Sequence, residues 1–230
     1  RPHTPLVYLR CLRGGRSGES LRSTGPQCVY WRSLVGLHPV RAWQTSVLLA
    51  AAVRLANYVD MRVRDALAGG RPNEYSSQVQ PMILTPGHGS LPSGHATEVH
   101  MVARILWELR GGTPGDVLGV ELMRQASRIA INRTVAGMHF PVDSVAGQLL
   151  GLTLARYFVR RAKGNTGFRA WRFDGERYPG TLDFNFNDLY NTSTAQQKSA
   201  PYVDLLPAQP PPQGSPMLRW LWTEAEKEWA

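Results

Sequence analysis

Residues 133–143 read RTVAGMHFPVD. Proline is tolerated in the first turn of a helix and breaks one further in. Pro141 therefore predicts a helix start, with His139 just ahead of it. Apolar Val145, Leu149, Leu152, Leu154 and Phe158 carry that helix to about Lys163. Asp143 follows His139 by four residues, about one turn, so its carboxylate can accept a hydrogen bond from one imidazole nitrogen. The other nitrogen then keeps its lone pair, as a nucleophile requires. Arg133 closes the preceding helix and offers a planar fork of N–H donors to an oxyanion.

Two upstream stretches point the same way. Residues 86–95 read PGHGSLPSGH and lead into a helix expected from Ser93 or Gly94 to about Leu109. A helix N-terminus presents unpaired N–H groups and partial positive charge, which attract anions. Gly94 lets the backbone approach an oxygen, Ser93 adds a hydroxyl, and His95 stands where a proton donor is useful. Residues 64–72 read RDALAGGRP. Arg64 falls near the end of a helix expected over residues 41–67, which Gly69 and Gly70 should stop. Arg71 follows them and can reach the same anion.

The helical pattern sets the organisation. Residues 1–40 read as irregular, 41–163 as a helical core, and 164–230 as a Pro- and aromatic-rich extension that wraps the core or meets a partner. A further core helix is expected from about Asp116 to Arg133. No alternating strand pattern stands out. The expected fold class is mainly α, a helical bundle with irregular extensions.

Composition narrows the partners. The net charge of +9 is carried almost wholly by arginine, with lysine at 163, 198 and 227 alone. The arginines are scattered and no nucleic-acid motif is present, so nucleic acid is not an expected partner. The charge-free apolar stretches 42–53 and 144–155 fall short of the roughly 20 residues a membrane helix needs. No integral span is expected, and the protein reads as soluble. The sequence opens on Arg1 rather than Met, so an upstream segment is expected and export stays open. Cys11 and Cys28 could pair if the protein is exported. His3, His38 and His100 read as surface or core groups, while His88 lies near enough to line the pocket.

Together the three blocks resemble the type 2 phosphatidic acid phosphatase and vanadium haloperoxidase superfamily. Its pattern is Lys, six residues, Arg-Pro; then Pro-Ser-Gly-His; then Ser-Arg, five residues, His, three residues, Asp. Here the blocks are Arg64 with Arg71 and Pro72; Pro92, Ser93, Gly94 and His95; and Asn132 with Arg133, His139 and Asp143. Arg64 replaces the lysine and Asn132 the serine. The resemblance implies one of two enzymes. A phosphatase would use His139 as nucleophile, His95 as general acid and base, and Asp143 to orient His139. Arg64, Arg71, Arg133, Ser93 and Gly94 would hold the phosphate, with no cofactor. A haloperoxidase would hold vanadate in the same groups, bonded to His139, and use peroxide and halide. A non-catalytic anion-binding module is the third reading.

Overall fold

The computed structural model describes residues 28–38, 40–164 and 167–229. Its helices are α1 (Cys28–Val35), α2 (Trp43–Leu67), α3 (Pro72–Tyr75), α4 (Gly94–Leu109), α5 (Val117–Val135), α6 (Pro141–Lys163) and α7 (Pro216–Lys227). Between α6 and α7 lie two antiparallel strand pairs. β1 (Phe168–Phe173) pairs with β4 (Val203–Gln209), and β2 (Tyr190–Asn191) with β3 (Gln196–Gln197). The fold is mainly α, a helical bundle.

The bundle is organised around α4. It packs on α6, α5 and α2. Val99, Met101, Val102, Ile105 and Leu106 are all buried, so α4 is apolar nearly all round, as a central helix must be. Its approach to α6 is unusually close. A Cβ on Gly147 would come within 2.6 Å of the Ser93 carbonyl, and one on Gly151 would strike the Thr97 carbonyl. Two glycines one turn apart thus let the helices touch backbone to backbone. That contact sets the start of α6 beside the start of α4.

α2 runs across this pair and ends at Ala68, which takes the left-handed conformation at φ 45°. The helix therefore stops one residue before the glycines that were expected to stop it. Its first turn is capped from far away. The Glu228 carboxylate accepts hydrogen bonds from the Gln44 and Thr45 amides at 2.6 and 2.9 Å, and from the Thr45 hydroxyl at 2.7 Å. Ala42, at the N-cap position, provides no side-chain cap of its own.

Two expectations need correction. Residues 28–35 are helical, and Trp31 is only 1 % exposed in the main core, so the first forty residues are not irregular throughout. Residues 1–27, including Cys11 and the expected disulfide, lie outside the described residues. The extension beyond Gly164 holds strands as well as coil. β1 shows no clean alternation because its register to β4 shifts between Arg169 and Trp171, which interrupts the two-residue period. Among the described residues no helix is long and apolar enough to cross a membrane.

Candidate active site

The starts of α4 and α6 meet at the Ser93 amide, which donates to the Asp143 carbonyl at 2.9 Å. This bond joins the 86–95 and 133–143 segments directly. On the α6 side, Asp143 Oδ2 collects three donors. The Phe140 amide donates to it at 2.9 Å, the Ser90 hydroxyl donates through a very short bond, and His139 Nδ1 lies 3.1 Å away. Ser90 Oγ is also 3.2 Å from His139 Nδ1. A carboxylate can only accept, so Nδ1 carries the proton and Nε2 keeps its lone pair. His139 is 4 % exposed. Burial holds its imidazole below the ordinary value, opposed by Asp143 and reinforced by Arg71 and Arg64. The ring is neutral near pH 7, the state a nucleophile needs.

α2 and the loop after it bring the arginines. Arg64 is 5 % exposed and Arg71 is 1 % exposed. Arg64 Nε donates to the Pro92 carbonyl at 2.8 Å and pairs with Asp60 at 2.9 Å. Its guanidinium lies over Gly94, where a Cβ would come within 2.7 Å of Nη2. A side chain at position 94 would push the arginine away from the helix start. Arg71 donates to the Met138 carbonyl at 3.0 Å and the His88 carbonyl at 3.2 Å. Each guanidinium is thus clamped by backbone on one edge. Burial holds both below the ordinary arginine value; Asp60 and Asp143 oppose this at Arg64, while Arg64 itself adds to it at Arg71.

His88 bridges the two. Its Nδ1 lies 2.9 Å from Arg64 Nη1 and 3.3 Å from Arg71 Nη2. Nε2 lies 3.4 Å from the same Arg64 nitrogen, and the Gly89 carbonyl is 3.1 Å from Nδ1. Burial, Arg64 and Arg71 together hold this ring below its ordinary value.

The remaining residues from the sequence reading lie on the elements that flank this web, and among them Ser93 joins it through its amide. His95 is half-buried on the first turn of α4. Ser93 is fully buried, and its hydroxyl finds no hydrogen-bond partner among the described residues. Arg133 is buried at the end of α5, and its carbonyl accepts from the Met138 amide at 3.0 Å, which turns the chain toward His139. The Tyr30 phenol acts on its guanidinium. Asn132 is also buried, with no side-chain hydrogen bond among the described residues. His100 is a core group: its Nδ1 is 2.8 Å from the Ala96 carbonyl, and burial lowers it to about 4.

Two members of the web escaped the sequence reading. Ser90 carries no signal in its spacing. Asp60 does: it precedes Arg64 by one helical turn, the spacing at which opposite charges meet. Burial raises its carboxyl to about 6, against the lowering effects of Arg64 and a Thr97 hydrogen bond. No cluster of three or more metal-ligating side chains occurs among the described residues.

Adjoining helix starts flanked by guanidinium and imidazole groups are a general solution for handling tetrahedral oxyanions. A family model described as the PAP2 superfamily matches residues 43–166, more than half of the chain. The chain belongs to the PAP2 superfamily. No curated protein matches it at a significant level.

Proposed function

We propose that this chain is a metal-independent phosphatase acting on phosphate monoesters, with His139 as nucleophile. The observation that supports it most is the Asp143 web: it fixes the His139 tautomer and frees Nε2 beside two buried guanidiniums. In the first step Nε2 attacks phosphorus and the bond to the ester oxygen breaks. His95 donates a proton to that leaving oxygen. In the second step His95 takes a proton from water, whose oxygen attacks phosphorus and breaks the P–N bond. Inorganic phosphate leaves and His139 is restored. Arg64, Arg71, Arg133 and the Ser93 and Gly94 amides oppose the charge on the equatorial oxygens, which is where transition-state charge is spread. The partnerless Ser93 hydroxyl is a further donor for one of those oxygens.

The same donors fit vanadate, with His139 as its nitrogen ligand and Arg64 and Arg71 at its oxygens. Bound there, it would supply peroxide activation for halide oxidation. A paired assay separates the chemistries: p-nitrophenyl phosphate hydrolysis in a chelator, and bromination of a dye with vanadate and peroxide. The proposal expects hydrolysis in wild type and none in His139→Ala. Bromination without hydrolysis, or a His139→Ala protein that still hydrolyses the ester, would overturn it.

A further inference from the structure

At the far end of the α4–α6 pair lies a second basic hollow. It has a volume of about 410 Å³, within the usual range for small-molecule pockets. Four guanidiniums line it: Arg104 from α4, Arg156 and Arg160 from α6, and Arg169 from β1. The one carboxylate on its wall is Glu108. Arg156 is 13 residues beyond Asp143 on a single helix, about 20 Å at 1.5 Å per residue, so the hollow is separate from the His139 site.

The four arginines are not equivalent. Arg104 is fully engaged: it pairs with Glu108 at 2.6 Å, donates to the Ala195 carbonyl at 2.8 Å, and lies 4.3 Å from the centre of the Trp107 ring. Arg156 is half-buried beside it and makes no hydrogen bond or ion pair among the described residues. Burial and the repulsion of Arg104 bring it down to about 10, only partly opposed by Tyr190 and Glu108. It stays charged at neutral pH. Burying an unpaired cation among cations is costly unless an anion joins it.

Compensation of the α6 dipole does not explain the cluster. Arg160, Arg161 and Lys163 stand in the last turn of that helix, so the dipole accounts for Arg160 alone among the four. Arg156 lies further in, and Arg169 comes from a strand. Glu108 neutralises one of the four charges, which leaves three. A single phosphate would leave most of a hollow this size open.

We propose that this hollow binds a small oligophosphate, an anion with at least two linked phosphate groups, at a site separate from the His139 centre. Arg156 is its central contact, and Arg160 and Arg169 hold the outer oxygens. Trp107 stands in the wall as a built-in reporter.

The test is a titration of the full chain with inorganic pyrophosphate, read by tryptophan fluorescence and by thermal unfolding, with sulfate as the single-anion control. His139→Ala should bind pyrophosphate as wild type does while losing ester hydrolysis. Arg156→Gln with Arg160→Gln should weaken binding at least tenfold and leave ester hydrolysis within twofold. If that pair fails to fold, exposed Arg169→Gln should still weaken binding severalfold. Sulfate binding as tightly as pyrophosphate would overturn the proposal. So would a pyrophosphate response that the arginine variants leave unchanged. An ADP arm distinguishes a phosphorylated organic ligand from a bare oligophosphate, and binding of either supports the site.

Discussion

The two arginine-rich ends of the α4–α6 pair differ in how their charge is held. At the helix starts, Arg64 and Arg71 are tied to the Pro92, His88 and Met138 carbonyls, and Asp60 and Asp143 sit among them. At the far end, Arg156 makes no hydrogen bond among the described residues, and Glu108 and the Tyr190 phenol act on it only through space. The first arrangement fixes its donors in advance, which favours a transition state over a resting ligand. The second leaves a cation unsatisfied, which favours a ligand that stays. Arginines thus serve different ends at the two sites, and what separates them is the set of groups already attached.

The largest expected effect tests the first arrangement. His139→Ala should lower kcat for ester hydrolysis by about 10⁴-fold or more, the scale of losing a nucleophile. The far-end variants should leave kcat nearly unchanged. A matching fall in both would mean the ends are coupled and would break the comparison.

Next comes the backbone contact that sets both ends in register. Gly147→Val should destabilise the fold by about 3 kcal/mol, since overpacking a core costs on that order. Denaturant unfolding measures this. A variant as stable as wild type would show that α4 and α6 can part without loss.

The smallest effect sharpens the electrostatic difference. The Asp60 carboxyl has a folded value of about 6, above its ordinary 3.8. Its proton therefore favours the fold, a contribution present below about pH 4 and lost as pH rises through 6. Above pH 6 the ionised carboxylate competes with any anion for Arg64. Sulfate, whose charge is constant here, should inhibit several times more strongly at pH 5 than at pH 7.5. Asp60→Asn should flatten that trend. An unchanged slope in the variant would assign it to another group.

The helices and the three blocks were legible because their signals are local. Pro141 marks a helix start by its own chemistry, and His139 and Asp143 are one turn apart. The end of α2 was nearly right, but Ala68 takes the left-handed conformation that glycine usually supplies, so composition pointed one residue late. Ser90 and Glu228 were not legible. Each acts on a segment distant in sequence, and no spacing rule connects position 228 to position 45. The far-end hollow was hidden for the same reason: its arginines come from three elements and look scattered along the chain. Asp60 was readable in principle, since its helical spacing to Arg64 was in view.

The bond from Glu228 to the first turn of α2 also orders events during synthesis. Arg64 and the rest of α2 leave the ribosome long before residue 228 is made. At about 5–20 residues per second the interval is roughly 10–40 s. Throughout it the Gln44 and Thr45 amides lack the carboxylate that later caps them. The nascent bundle must therefore wait, its leading strut open at one end, until residue 228 arrives to close it.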